Sequence, residues 1–210
     1  RQPGSAFKPF VWLAALEAGM TPGTVMEDRP VAIAGWRPEN IDGRFRGPVT
    51  LTEALAQSIN TIAVQIVADV GVPRVVSAAR RVGVVSDQPR DATIALGTGE
   101  VGLLELAAAY APFVNGGRAV VPHGVLRAEA GGRTVWRRET STVRAIPEER
   151  AAQIAAMMRE VVERGTGRAA AIPGRAVAGK TGTTQGFRDA WFIGAADGLV
   201  IGVWLGNDDA

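Results

Sequence analysis

The sequence predicts an α+β fold, with helices through about residues 1–164 and an antiparallel sheet at about 176–206. Three observations predict it. Ala151, Ile154, Met157, Met158, Val161 and Val162 recur at helical spacing within 147–164. After residue 175 the pattern changes to three β-like runs, 176–183, 189–195 and 199–206, the last two joined by Ala196-Asp197-Gly198. A chain of 210 residues, 47% apolar, also suits one domain with a sizeable core.

Taken in order, residues 5–19 read as a helix with little polar face, since Phe7, Phe10, Val11, Leu13, Ala14 and Leu16 crowd it. Gly19 is its stop. Pro9 opposes the carbonyl of Ser5, so the opening turn is expected to be distorted or 3₁₀. Residues 20–48, rich in Pro, Gly, Asp and Asn, read as loop with at most a short strand at 31–34. Thr50-Leu-Thr-Glu53 is a capping box opening a helix over about 51–57. Ser58-Ile-Asn60-Thr61 interrupts it, and Asn60 or Thr61 is expected to cap a helix over 62–70 that ends at Gly71. Another helix runs from Pro73 to Val82, with Val72, Val75, Val76 and Ala79 on one face. Residues 84–101 read as loop, Leu103–Asn115 as helix, and Gly131-Gly132 as the turn of a hairpin within 124–138.

The charge inventory is informative. Of 23 basic residues only Lys8 and Lys180 are lysines. Arginine stays charged at any working pH, whereas a desolvated lysine can lose its proton, so both lysines are expected to be functional. Net charge is +2 with arginines dispersed among acids, which leaves no stripe for nucleic acid. Cysteine is absent, which excludes disulfides and thiol chemistry. No apolar run reaches the ~18 residues of a membrane span.

Three short motifs gather the chemistry. Ser5-x-x-Lys8 places a hydroxyl and an amine on one face of the opening turn, where a neutral lysine can take the serine's proton. Ser58-x-Asn60 lies in a break between helices. Lys180-Thr181-Gly182 begins a strand-like run followed by Thr183 and Thr184. Singly, Ser-x-Asn is commonly a turn and Lys-Thr-Gly a strand end. In this order, and using both lysines, they form a strong signal.

With these motifs the chain resembles the transpeptidase region of class A penicillin-binding proteins, within the penicillin-recognising serine acyl-enzyme family. Arg1-Gln-Pro-Gly-Ser-Ala-Phe-Lys-Pro-Phe10, Gln57-Ser-Ile-Asn-Thr61, Leu104-Glu-Leu-Ala-Ala-Ala-Tyr110, Gly165-Thr-Gly167 and Gly179-Lys-Thr-Gly-Thr-Thr-Gln-Gly-Phe-Arg-Asp-Ala-Trp-Phe192 carry the resemblance, with Gly206-Asn-Asp-Asp209 at the end. The resemblance implies a β-lactamase/transpeptidase-like sheet flanked by helices with a helical sub-lobe. It implies a D,D-transpeptidase acting on D-Ala-D-Ala stem peptides of peptidoglycan and acylated by β-lactam antibiotics, with Ser5 as nucleophile and Lys8 as its base. It further implies that Ser58 relays a proton opposite Lys180, and that Asn60 bonds the substrate amide. Thr181, Gly182 and Thr183 line the substrate carboxylate site, and the N–H groups of Ser5 and Thr183 form an oxyanion hole.

The resemblance implies no cofactor and no metal, and an extracytoplasmic site of action. Its parent chains are membrane-anchored and carry a glycosyltransferase domain, which these 210 residues do not include. Strands before the nucleophile helix and a helix after the last strand are likewise missing. An open sheet edge and a loosened first turn are therefore expected. Neutralising Lys8 at pH 7 costs roughly 4–5 kcal/mol in water, at about 1.36 kcal/mol per pH unit. Burial and the charge of Lys180 are expected to meet that cost together.

Rival readings are weaker. Gly174-Arg-Ala-Val-Ala-Gly179-Lys180-Thr181 matches a phosphate-binding loop, with an apolar run before Asp208 as its second motif, but neither flank supplies the strand-to-helix context. The single histidine, His123, follows a proline in a loop and suits a surface position. Two alternatives stay open: a fragment that binds penicillin or peptide without turnover, and a serine β-lactamase, for which no carboxylate is placed to activate a deacylating water. Glu100 beside Gly97-Thr-Gly99 and the 20–48 loop read as packing and solvated loop.

Overall fold

The computed structural model describes residues 1–139, 143–184, 186 and 188–207. It opens with a 3₁₀ turn, Gly4–Phe7, which passes directly into helix α1, Lys8–Glu17, with Pro9 in the first helical turn. The ring therefore costs no internal hydrogen bond, as expected for proline at a helix start. Every residue from Lys8 to Leu16 is buried. A helix apolar on all sides has to be surrounded, and α1 is. It packs against α2 (Leu51–Ala56), α3 (Asn60–Val70), α4 (Val72–Val82) and α6 (Glu148–Glu163). Phe10 contributes to an aromatic cluster with Phe7, Tyr110 and Phe113. Trp12 donates its indole N–H to Leu51 O at 2.8 Å.

Helix α6 buries Ala151, Ile154, Met157, Met158, Val161 and Val162, the stripe that the periodicity marks. Burying a side chain of Val, Ile or Met size contributes about 1.5–3 kcal/mol, so this face fixes α6 against α1 and the sheet. Helix α5, Leu103–Val114, packs beside α6 and lies over β6 and β7.

The sheet is antiparallel in the order β5 (Ala178–Thr183), β6 (Asp189–Ala196), β7 (Leu199–Gly206). Register pairs Lys180 with Ile193 and Trp191 with Trp204. One face rests on α5: a Cβ on Gly202 lies 2.9 Å from Leu103 Cδ1. On β7 the alternate residues Leu199, Ile201, Val203 and Leu205 are exposed. Among the described residues β7 has no partner on its outer side, so the open edge is present. The hairpin falls where expected, as β3 (Arg127–Ala130) and β4 (Arg133–Arg137), and is exposed throughout.

The segment 20–48 departs from expectation. Instead of a strand at 31–34 it holds β1 (Val25–Asp28), paired antiparallel with β2 (Gly47–Thr50), while Ile33 and Trp36 form an isolated bridge. Pro48 argues against a strand in sequence, but among the described residues β2 pairs only with β1, and a missing N–H is tolerated on an edge strand. Residues 92–96 form a 3₁₀ turn inside the 84–101 loop. The first turn is not loose either. Arg1 and Val101 exchange backbone hydrogen bonds, and Gly4 N–H donates to Gly97 O at 3.1 Å.

Candidate active site

Three backbones meet at the 3₁₀ turn because glycines let them. A Cβ on Gly182 lies 2.1 Å from Pro3 O, one on Gly97 lies 2.1 Å from Gly4 O, and one on Gly4 lies 2.6 Å from Thr183 O. None of these distances is tolerable against main-chain atoms. Strand β5 thus runs hard against the turn carrying Ser5, and the Gly97-Thr-Gly99 turn packs behind it. Glu100 itself is exposed, contrary to its packing reading. Tyr110, contributed by α5, anchors the turn by donating its hydroxyl to Ala6 O.

Ser58 owes its position to the end of α2. The capping box is formed as the sequence predicts, with Thr50 Oγ accepting from Glu53 N and the Glu53 carboxylate accepting from Thr50 N. At the other end, Ser58 N donates to Leu55 O at 3.1 Å and Ile59 N to Ala54 O at 2.9 Å. This is a Schellman motif, whose penultimate position is left-handed and usually glycine. Ser58 occupies it at φ +57. A serine there costs about 1–2 kcal/mol relative to a relaxed backbone.

Both lysines converge on that serine. Lys180 Nζ donates to Ser58 Oγ at 2.9 Å and to Thr181 O at 3.1 Å. Lys8 Nζ donates to Ser58 O at 2.6 Å and Asn60 Oδ1 at 2.7 Å, with Ser58 Oγ at 3.3 Å. Each lysine is fully buried. Burial, and then the charge of Lys180, hold the Lys8 amine well below the ordinary lysine value. Burial alone brings Lys180 down to about 7. A neutral amine has two N–H donors, and the two shortest Lys8 contacts use both. Its lone pair is then left for a hydroxyl proton.

Lys8, Ser58, Asn60 and Lys180 are therefore brought into one hydrogen-bonded cluster, with Ser5 one turn before Lys8. Ser5 is almost fully buried, at 9% exposure. Among the described residues Lys8 Nζ hydrogen-bonds Ser58 and Asn60 and not Ser5, so the amine that stacking alone would aim at Ser5 lies in the Ser58 break. Asn60 does not cap α3, contrary to expectation: it is the first helical residue, and Ile59 precedes it without a side-chain cap. The cap comes from a distance. Asn40 Oδ1 accepts from Asn60 N at 2.9 Å and from Thr61 N at 3.3 Å. Asn60 also donates its amide to Glu39 O at 2.8 Å.

On β5, Gly182 is buried, Thr181 is partly buried and Thr183 is exposed at the strand end. The Thr181 hydroxyl lies 2.8 Å from that of Thr166. Thr166 is placed by its N–H to Ala56 O at 3.0 Å, beside Gly165, where a Cβ would meet Ala56 O at 2.1 Å. Neither Thr166 nor Asn40 stands out by residue type in the sequence; the glycines at 165 and 167 that bracket Thr166 are the signal for the first. Gln185 and Phe187 of the long motif, and Asp208 and Asp209 at the end, lie outside the described residues. Lys180 sits inside strand β5, which pairs with β6, and among the described residues no α-helix follows it, which removes the phosphate-loop reading. His123 is exposed. No group of three or more His, Asp or Glu side chains able to hold a metal gathers among the described residues.

A comparison with protein families matches residues 1–204 to the penicillin binding protein transpeptidase domain. Penicillin-binding protein 1A of Neisseria meningitidis serogroup A is 40% identical over 226 residues, covering 99% of this chain and 28% of that protein. The protein of the same name from Rickettsia conorii is 33% identical over 238 residues, covering 99% and 30%. The chain thus spans under a third of the length of these relatives. Among solved structures, penicillin-binding protein 1A from Haemophilus influenzae superposes with a TM-score of 0.91 at 30% identity, covering all of this chain and 38% of that one. PonA1 of Mycobacterium tuberculosis in complex with penicillin V gives 0.88 at 28% identity, covering 98% and 60%. The 210 residues belong to the penicillin-binding protein transpeptidase family and correspond to the transpeptidase region of its class A members.

Proposed function

We propose that the chain is the catalytic part of a peptidoglycan D,D-transpeptidase that works through a serine acyl-enzyme on the outer side of the cytoplasmic membrane. One observation carries the reading: two buried lysines share the Ser58 hydroxyl, one of them a single turn from Ser5. Ser5 Oγ attacks the carbonyl carbon of the penultimate D-Ala, and its proton passes to neutral Lys8. The C–N bond breaks, the terminal D-Ala leaves as the amine with a proton relayed through Ser58, and an ester on Ser5 remains. An amine of a neighbouring stem peptide attacks that ester, closing the crosslink and returning the proton to Ser5.

Asn60 orients the substrate amide, Thr181 and Thr183 hold its carboxylate, and Gly182 keeps β5 close enough for the N–H groups of Ser5 and Thr183 to face one oxyanion. A β-lactam enters the same path. Its ring amide opens on Ser5, but the leaving nitrogen stays tethered, so the ester persists.

Intact mass after incubation with a penicillin tests this, with Ser5→Ala alongside. The expected result is one antibiotic mass added to the unsubstituted protein, slow to decay, and none added to the variant. Rapid return to the unmodified mass with consumption of antibiotic would instead indicate a β-lactamase. An adduct retained in Ser5→Ala would remove Ser5 as the nucleophile.

A further inference from the structure

We infer that Asn40, oriented by the buried carboxylate of Asp28, is a positioning residue that fixes Asn60 and, through it, the Lys8 amine. The inference rests on the acyl-enzyme reading above and adds to it residues from a segment that looks like solvated loop in sequence.

The argument begins with burial. Asp28 is 1% exposed and Asn40 5%, in a segment most of whose residues are exposed or partly exposed, and Thr61 on α3 is 0% exposed. A buried carboxylate needs donors on both oxygens. Asp28 has them: Asn40 Nδ2 at 2.9 and 3.2 Å, the Thr61 hydroxyl at 2.5 Å and the Arg46 N–H at 2.9 Å. The Arg46 guanidinium adds a looser ion pair at 3.8 Å. Because Asp28 only accepts, it dictates which way the Asn40 amide faces. Nδ2 turns to Asp28 and to Arg44 O at 2.8 Å, so Oδ1 turns to α3. There it takes the N–H groups of Asn60 and Thr61, two of the orphan donors of a helix start.

The consequence reaches the site. With its N–H held by Asn40 and its side-chain amide held by Glu39 O, Asn60 has one orientation left, with Oδ1 on Lys8 at 2.7 Å. An ordinary N-cap supplied by its neighbour would satisfy the helix start equally well. A cap supplied from twenty residues away, and polarised by a buried acid, also couples the 20–48 segment to the base.

The test exploits donor and acceptor roles. Asn40→Asp sets two carboxylates against each other, whereas the swapped pair Asp28→Asn with Asn40→Asp restores one donor facing one acceptor. Asn40→Asp is expected to slow acylation by penicillin about tenfold or more through the acylation step, with the concentration for half-saturation nearly unchanged. The swap is expected to recover part of that loss, because an acid at 40 still leaves Arg44 O without its donor. Should Asn40→Asp not fold, Asn40→Ala, which removes the acceptor for α3 and the donor for Asp28 together, is read in the same way.

A second readout does not depend on acylation. The chain has only two lysines, so ¹³C-lysine labelling gives two ε-carbon resonances from it, and that of Lys8 is expected to move in the single variant and return in the swap. A folded single variant with unchanged acylation and an unmoved Lys8 resonance overturns the inference. If the unsubstituted protein forms no adduct, the acyl-enzyme reading fails by itself, and the Lys8 resonance alone then decides whether Asn40 positions the lysine.

Discussion

Helices α1, α2 and α4 end in the same hydrogen-bond motif but not with the same residue. Gly19 N donates to Leu16 O and Met20 N to Ala15 O; Gly83 N donates to Arg80 O and Val84 N to Ala79 O. In both, the left-handed position is glycine, at φ +98 and +122. At the end of α2 the equivalent pair comes from Ser58 and Ile59, and the left-handed residue is serine. Sequence rules for helix ends are obeyed where the end only has to stop. They are broken where the turn also has to present a hydroxyl to two buried lysine amines. The strain at Ser58 is thus tied to an observed hydrogen-bond cluster, not inferred from function alone.

The largest expected effect separates the two tasks. Ser58→Gly restores the rule, relieving about 1 kcal/mol of backbone strain while losing an acceptor worth about the same. Its thermal stability should therefore sit close to that of the unsubstituted protein. Acylation by penicillin, measured by stopped-flow or mass, should fall by roughly 10²–10⁴-fold, the range for losing a positioned proton carrier. A large loss of stability with acylation intact would reverse the argument.

Lys180→Met addresses what the serine is for. Below pH 7 both the folded and unfolded chains hold the Lys180 proton, and the whole cost of burying the charge is present. Between about 7 and the unfolded value near 10.5, only the unfolded chain holds it, so stability rises with pH. Lys8 contributes in the same direction. Replacing Lys180 by Met should remove its share of that slope, leaving the variant more stable than the original at pH 6 by an order of a few kcal/mol. Denaturant midpoints at pH 6 and 9 check this. With the neighbouring charge gone, the acylation pH profile should also move upward as Lys8 regains basicity. An unmoved profile would mean that burial alone keeps Lys8 neutral.

The same contrast explains how much could be read from the chain. The α6 stripe, the Thr50 capping box, the glycine stops and the three C-terminal strands follow from periodicity and local turn chemistry, and all are in place. Lys8 and Lys180 stood out because arginine replaces lysine everywhere else. What could not be read are relations across long separations. The 20–48 segment looks like loop because its polar residues are satisfied by partners such as Thr61 and the α3 amides, which no local window contains. The left-handed Ser58 was hidden for a related reason: the glycine signal that marks other helix ends had been given up for a side chain.

The smallest expected effect is the converse exchange, Gly83→Ser, which places at the end of α4 the residue that α2 carries. Space is available, since a Cβ there would lie 3.9 Å from Ala109 Cα and 4.0 Å from its Cβ, ordinary contact distances. The penalty is therefore conformational: at φ +122 an L-residue is strained, by about 1–2 kcal/mol. For a chain of this size that lowers the melting temperature by roughly 2–8 °C. Acylation should be unchanged, because no group of the cluster touches this turn. If Gly83→Ser proved as stable as the original, left-handed serine would be inexpensive in this fold, and Ser58 would no longer need the two lysines to explain it.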